Sequence, residues 1–176
     1  MLIVNRVAFT GGVERTILTL IAQLEALGFE PVLAAPPNGD LVDAARARGV
    51  EIAPCPFDRM RISADPRVLM RYPGVWRDGA RAVERHCRER RIDLIHAHHP
   101  VGALYARRAV RRLGVPMILH VHETLPARRL YALAMRAVLP DAALVVCVSS
   151  AAAELALALG ASPNLTRIVP NGVDGR

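Results

Sequence analysis

Short apolar runs alternate with amphipathic segments along the whole chain, and this alternation limits the fold more than any other feature. The apolar runs are aliphatic and β-branched, from Met1-Leu2-Ile3-Val4 at the start to Thr166-Arg167-Ile168-Val169 near the end. The segments between them repeat apolar residues at helical spacing. Strands that alternate with helices form an open parallel sheet. The sequence therefore predicts an α/β fold with about seven parallel strands and helices on both faces of the sheet.

The length of 176 residues suits a single domain with a sizeable core. Pro73-Gly74 is expected to separate two of the helices, and residues 54–65 are expected to be irregular. The predicted strands span 2–7, 31–35, 50–53, 93–96, 115–121, 142–148 and 166–169, and the predicted helices span 13–27, 40–49, 66–72, 75–91, 100–113, 127–139 and 150–159.

The turn between the first strand and the first helix reads Thr10-Gly11-Gly12-Val13-Glu14. Two glycines allow the backbone to approach a ligand closely, and the free N–H groups of a helix start favour an anion. A phosphate-bearing ligand is one interpretation, and a purely structural turn is the other. The turn lacks the Gly-x-Gly-x-x-Gly pattern and the P-loop lysine, and the strand that ends at Ala35 is not followed by a carboxylate. These absences argue against a dinucleotide site and against a P-loop.

The chain carries a formal net charge of +7, and every basic residue other than histidine is an arginine. Two helices present arginine stripes opposite their apolar faces, which predicts solvated surfaces, with contact to anionic lipid head groups as the alternative. Aromatic residues make up only 4% of the chain and do not interleave with the stripes, so nucleic acid is not an expected partner. The stripes consist of Arg77, Arg81, Arg85 and Arg88, and of Arg107, Arg108, Arg111 and Arg112.

The three cysteines, Cys55, Cys87 and Cys147, form no Cys-x-x-Cys motif. Cys87 and Cys147 lie on apolar stripes, which predicts small core residues in a reducing compartment. No apolar run is long enough to span a bilayer. The first run leads into Asn5 and Arg6 instead of a cleavage site, so the expected location is the cytoplasm, with peripheral membrane contact left open.

Five of the six histidines lie between His96 and His122, after the fourth and fifth predicted strands. Two His-x-His pairs with Glu123 beside them could supply metal ligands, although spacing alone identifies too many such sites. Alternatively His96 and His120 are buried groups bonded to backbone, or His122 is a polar group in a ligand cleft. Ser149 and Ser150 follow the sixth strand and suit a helix cap. Neither serine stands in a Gly-x-Ser-x-Gly elbow, which argues against a nucleophile.

Together these stretches resemble the N-terminal half of a family 4 glycosyltransferase with the GT-B fold, and the resemblance runs over the whole chain. The order and spacing of the motifs carry it. The motifs are Phe9-Thr10-Gly11-Gly12-Val13-Glu14-Arg15, Asp93-Leu94-Ile95-His96-Ala97-His98-His99-Pro100, Leu119-His120-Val121-His122-Glu123, Val146-Cys147-Val148-Ser149-Ser150 and Ile168-Val169-Pro170-Asn171-Gly172-Val173-Asp174.

The resemblance implies transfer of a sugar, of hexosyltransferase type, from a nucleotide-sugar donor to a glycan or lipid-linked acceptor. It implies retention at the anomeric carbon, with no cofactor and no metal. Gly11 and Gly12 match the loop that approaches the donor diphosphate, and His122 matches the histidine near the donor sugar, the expected catalytic residue. The expected cleft or acceptor-binding residues are His98, Glu123 and Ser149.

The resemblance also implies a Rossmann-like, acceptor-side domain over residues 1–170, with 171–176 starting an interdomain linker. The donor-binding C-terminal domain of the family does not follow in this sequence. We therefore expect these residues to be inactive on their own. Two alternatives are a non-catalytic subunit of a split glycosyltransferase and a metal-dependent hydrolase that uses the histidines between His96 and His122.

Overall fold

The computed structural model describes residues 1–58, 66–122 and 129–172. Strands and helices alternate along these residues as the sequence predicts, and three short 3-10 turns cover 25–27, 139–141 and 163–165. The strands are β1 Leu2–Val4, β2 Val32–Ala35, β3 Glu51–Pro54, β4 Ile95–Ala97, β5 Met117–Val121, β6 Leu144–Cys147 and β7 Thr166–Ile168. The helices are α1 Gly12–Leu24, α2 Asp40–Arg46, α3 Pro66–Glu89, α4 Pro100–Leu113, α5 Arg129–Val138 and α6 Ser150–Ala158.

All seven strands join one parallel sheet in the order β3-β2-β1-β4-β5-β6-β7. The first strand lies in the interior of the sheet, paired with β2 on one side and β4 on the other. Its three residues are fully buried, which explains why it reads as a continuous apolar run. The predicted fold class is confirmed.

Successive residues of β1 enter two separate apolar clusters, which shows that helices cover both faces of the sheet. Ile3 packs with side chains of α1 and α2, including Ile17 and Leu41. Leu2 and Val4 belong to the cluster that contains the buried side chains of α3, α4, α5 and α6. This alternation follows from the pleat, which points neighbouring side chains to opposite faces.

The predicted break at Pro73-Gly74 is wrong, since α3 continues through Pro73. Proline removes one backbone hydrogen bond, but its ring fixes φ near the helical value, so a helix can continue where packing supports it. After Pro73, α3 buries Ala80, Val83 and Cys87. In contrast, α4 has the bounds that the sequence predicts, with Pro100 at its start and Gly114 in the left-handed conformation at its end.

The second arginine stripe differs from the solvated face that the sequence predicts. The carboxylate of Asp141 accepts hydrogen bonds from Arg107 Nε over 2.6 Å and from Arg111 Nε over 2.9 Å. Arg108 donates to the buried carboxylate of Glu84, and so ties α4 to α3. These carboxylates are more than twenty residues from their partners, so helical spacing within α4 could not indicate them.

All three cysteines are buried and free. Burial raises the pKa of the Cys55 and Cys87 thiols to about 12, and it also raises the pKa of Cys147. The interpretation of Cys87 and Cys147 as core residues agrees with this burial. None of the helices in the described part of the chain is long and apolar enough to cross a membrane.

Candidate functional site at the carboxyl edge of the sheet

The residues that the sequence singles out follow the carboxyl ends of parallel strands, and so they lie along one edge of the sheet. Gly11 and Gly12 belong to the turn after β1, His98 follows β4, His122 follows β5, and Ser149 follows β6. The strand order reverses between β1 and β4. In open α/β sheets, ligands bind outside the carboxyl ends of the strands at such a reversal.

A buried carboxylate holds the turn after β1. Glu14 lies in the first turn of α1, and its Oε2 accepts the N–H of Gly11 over 3.0 Å. Its Oε1 accepts a hydrogen bond from Asn5 Nδ2, also over 3.0 Å. Asn5 and Glu14 are both buried. A glutamate at the third helical position is the mark of a capping box, and this signal in the sequence could have indicated the role of Glu14.

Residues at the start of α2 also form hydrogen bonds with the turn after β1. Asp40 Oδ1 accepts the N–H of Thr10 over 2.8 Å, and this backbone hydrogen bond lowers the pKa of the carboxyl group. The N–H of Leu41 donates to the carbonyl of Ala8 over 3.0 Å. Gly39 has a φ of 145°, and a Cβ there would lie 2.3 Å from the carbonyl oxygen of Ala8. Only glycine allows this approach.

The two glycines of the turn are in different environments. A Cβ on Gly11 would lie 2.8 Å from Glu14 Oε2, whereas a Cβ on Gly12 would meet nothing within 4 Å. The Gly11 N–H is already bonded to Glu14, while the assignment of both glycines to the loop that approaches the donor diphosphate stays a prediction. Within the described residues, the N–H groups of Gly12 and Val13 have no hydrogen-bond partner.

A row of polar side chains lies beneath this edge on one face of the sheet. In the register of the sheet, Ile3 is beside His96, and Ala97 is beside Leu119. Continuing the register by one residue places Asn5 beside His98, and His98 beside His120. The next residue with the same orientation on β5 is His122. Strand residues two apart share a face, so four histidines project from the face of Ile3.

The four imidazoles form two hydrogen-bonded pairs. His96 Nε2 lies 3.2 Å from His120 Nδ1, and His98 Nδ1 lies 3.2 Å from His122 Nε2. The rings also stack, with centroids 4.2 Å apart for His96 and His98 and 4.1 Å apart for His120 and His122. We call these four residues the histidine cluster. The proposal that His96 and His120 bond to backbone is replaced by this side-chain pairing.

The histidine cluster is held neutral. Burial lowers the pKa of His96 to about 4 and that of His120 to about 3, and the neighbouring imidazoles act in the same direction. The pKa of His98 lies well below its ordinary value, mainly through burial. A second positive charge in so small a volume would be strongly disfavoured.

The structure separates the predicted cleft residues. His98 is only 1% exposed and lies behind His122, which is half-buried. Ser149 caps α6, because its Oγ accepts the N–H of Ala152 over 3.2 Å. His99 caps α4 in the same way, with Nδ1 accepting the N–H of Val101 over 3.0 Å. Glu123 lies outside the described residues, so its place in the cleft stays a prediction.

Three members of the histidine cluster have the chemistry of metal ligands. Nitrogen atoms of His96, His98 and His120 all lie within 4.8 Å of one another. However, the rings of His96 and His120 are inclined by only 9° and meet edge to edge, with Nε2 of His96 and Nδ1 of His120 directed at each other over 3.2 Å. The lone pairs of metal ligands must instead converge on the ion, as they do in tetrahedral zinc sites. The ring geometry therefore favours the hydrogen-bonded arrangement.

The comparisons with known proteins identify the family. The sequence pattern described as Glycosyltransferase Family 4 matches residues 10–175. The chain belongs to this family. No curated protein sequence matches the chain significantly. The family assignment agrees with the resemblance of the motifs, and no comparison supports a metal-dependent hydrolase.

Solved structures share the fold of this family 4 domain. HepE from Anabaena, in complex with UDP-glucose, is 16% identical with a TM-score of 0.76, and the match covers 98% of this chain and 44% of that one. The lipopolysaccharide outer core galactosyltransferase WaaB is 18% identical with a TM-score of 0.72, over 98% and 45%. MurG from Acinetobacter baumannii is 15% identical with a TM-score of 0.67, over 99% and 46%. The family 4 domain thus spans less than half the length of these GT-B proteins.

The histidine cluster makes the stability of the family 4 domain depend on pH. The folded-state pKa values of His96, His98 and His120 lie below the unfolded value near 6.5. The unfolded chain therefore binds more protons below that pH, and stability falls with decreasing pH. We expect the free energy of unfolding to fall by about 4 kcal/mol between about pH 7.5 and about pH 5.5.

Urea unfolding at the two pH values measures this difference. His86, whose pKa burial also lowers, adds to the fall in the same direction. The variant His99→Asn keeps a helix-capping acceptor and lies outside the histidine cluster, so it should show the same fall. Equal free energies of unfolding at both pH values would contradict the neutral, buried assignment.

The Glu14 carboxylate should contribute substantially to stability. Glu14→Ala removes the acceptor of the Gly11 N–H and one of the two acceptors of Asn5 Nδ2, which keeps its hydrogen bond to the Val7 carbonyl. We expect a loss of about 1–3 kcal/mol in urea unfolding. Glu25→Ala removes an exposed carboxylate at the other end of α1, and should cost less than about 0.5 kcal/mol. Equal losses for the two variants would mean that the hydrogen bonds from Asn5 and Gly11 to Glu14 do not stabilise the domain.

Proposed function

We propose that this domain forms one wall of the cleft of a retaining GT-B glycosyltransferase. The enzyme would transfer a hexose from a nucleoside diphosphate sugar to a glycan or lipid-linked acceptor. Family membership supports the reaction class. HepE, which shares the fold, was crystallised with UDP-glucose, and this supports a nucleotide-sugar as the donor. No cofactor and no nucleic acid enter the proposal.

The observation that carries this proposal is the environment of Gly12. Its φ is not positive, and a Cβ there would meet nothing within 4 Å, so the fold itself does not require glycine. A ligand that approaches the backbone closely would require it. The N–H groups of Gly12 and Val13 stand at the start of α1, where the helix dipole favours an anion.

These two amides are suited to the leaving group of the reaction. When the bond between the anomeric carbon and the diphosphate breaks, the electron pair stays on the diphosphate oxygen and negative charge grows there. Fixed backbone N–H groups at that oxygen or its neighbours stabilise the charge without reorganisation. Glu14 and Asp40 engage the two preceding N–H groups of the turn, and so hold the turn in place for this role.

His122 is the side chain that we assign to the donor sugar. It is half-buried at the carboxyl edge of β5, two strands from the turn that carries Gly12. An imidazole at this position can donate a hydrogen bond to a sugar hydroxyl group while the anomeric centre gains positive charge. Acceptor contacts by Glu123 and Ser149 remain part of the proposal. His98 is too deeply buried for direct contact and acts behind His122.

Activity should require a second, donor-binding domain. GT-B enzymes work in a cleft between two domains, where closure aligns the reactants and excludes water. We assign residues 1–170 to the acceptor-side domain and 171–176 to the start of the connection, of which 173–176 lie outside the described residues. The partner domain could be covalently attached or a separate subunit. A cytoplasmic location, with peripheral contact to a membrane that carries a lipid-linked acceptor, completes the proposal.

The test is sugar transfer from a panel of radiolabelled nucleotide-sugars to lipid and glycan acceptors. We expect no transfer by these 176 residues alone, and transfer when the donor-binding domain of a family 4 enzyme is fused or added. In the active combination, Gly12→Ala should lower transfer by about tenfold or more, because its methyl group obstructs the diphosphate. Gly74→Ala, which also has an open Cβ position, serves as the control.

Two results would contradict the proposal. Robust sugar transfer by these 176 residues alone would show that a second, donor-binding domain is not required. A Gly12→Ala variant as active as Gly74→Ala would remove the role of the turn in binding the diphosphate.

A further inference from the structure

The hydrogen bonds of the histidine cluster can be assigned a direction. A neutral imidazole carries one N–H and one lone pair, so each bonded pair has one donor and one acceptor. The Nε2 atoms of His98 and His120 are buried without a hydrogen-bond partner among the described residues. Whether each of these two Nε2 atoms carries a hydrogen therefore decides which histidine is the donor in each hydrogen bond.

Two arrangements are available to His98 and His122. In the first, His98 Nδ1–H donates to Nε2 of His122, and the partnerless Nε2 of His98 is a lone pair. In the second, His122 Nε2–H donates to Nδ1 of His98, and the partnerless Nε2 of His98 carries a hydrogen. A buried N–H without an acceptor is rarer and more costly than an unused lone pair. With His98 only 1% exposed, the first arrangement is favoured.

The same reasoning applies to His96 and His120. The partnerless Nε2 of His120 is a lone pair, so His120 Nδ1–H donates to Nε2 of His96. His96 then carries its hydrogen on Nδ1. A doubly protonated member would add charge to a buried cluster in which each imidazole side chain is hydrogen-bonded to another imidazole. Both pairs are therefore neutral, and in each an Nδ1–H donates to an Nε2, from the β4 side to β5 in one pair and from β5 to β4 in the other.

We propose that His98 is a positioning residue that holds His122 in the Nδ1–H tautomer. The proposal rests on the proposed function, in which His122 faces the donor sugar. The Nε2 lone pair of His122 is then occupied by the hydrogen from His98. His122 can donate a hydrogen bond to a ligand from Nδ1, and Nε2 cannot serve as a base. The buried histidine thereby selects which ring edge of His122 faces the reaction.

The tautomers can be measured directly in the ligand-free protein. Long-range ¹H–¹⁵N correlation spectra of the uniformly ¹⁵N-labelled chain at neutral pH distinguish a protonated Nδ1 from a protonated Nε2. We expect His122 and His98 to show the Nδ1–H pattern, although the Nε2–H tautomer is ordinarily preferred by free histidine. A His122 signal in the Nε2–H form would overturn the proposal.

Two substitutions of His98 separate positioning from packing. In His98→Asn, the side-chain amide can place an N–H close to the position of Nδ1, so His122 should keep the Nδ1–H form. In His98→Phe, the ring is retained but the donor is lost, and the Nε2–H form of His122 should become the major species. His99→Asn, outside the cluster, should leave the spectrum of His122 unchanged.

The tautomer of His122 in these spectra shows whether His98 positions it. A folded His98→Phe variant in which His122 stays in the Nδ1–H form would overturn the proposal. If that variant fails to fold, the wild-type and His98→Asn spectra still test the assignment, and an Nε2–H signal in either one refutes it. The spectra are recorded without a ligand, so they test the tautomer of His122 separately from the reaction. If His122 shows the Nδ1–H form but the sugar-transfer assay fails, only the proposed function is contradicted.

Discussion

The parallel pairing of β1 with β4 is the constraint on which the rest of the structure depends. It brings together two strands that are about ninety residues apart in the chain, and it is the point where the strand order reverses. The pairing places the turn that contains Gly12 beside the histidines that follow β4. Because the strands are short and fully buried, their backbone groups must be satisfied within the sheet, which leaves little freedom in the register.

Beneath the carboxyl edge, the domain buries polar groups where an ordinary core would have apolar ones. The Asn5–Glu14 hydrogen bond and the paired histidines are largely removed from water. Buried polar groups of this kind are costly unless they are bonded, so their positions are tightly defined. The result is an edge at which the exposed Gly12 and the half-buried His122 are supported by more deeply buried polar groups.

The alternation of apolar runs and helical stripes was sufficient to predict the fold class, and proline and glycine were sufficient to predict the ends of α4. The continuation of α3 through Pro73 was not predictable, since it depends on packing that proline alone does not indicate. The edge of the sheet was predictable because parallel strands end together. The bond between His98 and His122 joins residues 24 positions apart, and only the register of β4 and β5 brings them together.

We propose that the turn after β1 and the end of β5 form the donor-facing surface of a family 4 glycosyltransferase. Backbone amide spectra of the ¹⁵N-labelled chain, recorded during titration with UDP-glucose, test this most directly. Weak binding at millimolar concentrations should shift the amide signals of Gly12 and Val13 and the ring signals of His122. Unchanged signals at these residues, or shifts confined to the opposite edge of the sheet around Phe29 and Glu51, would contradict the account.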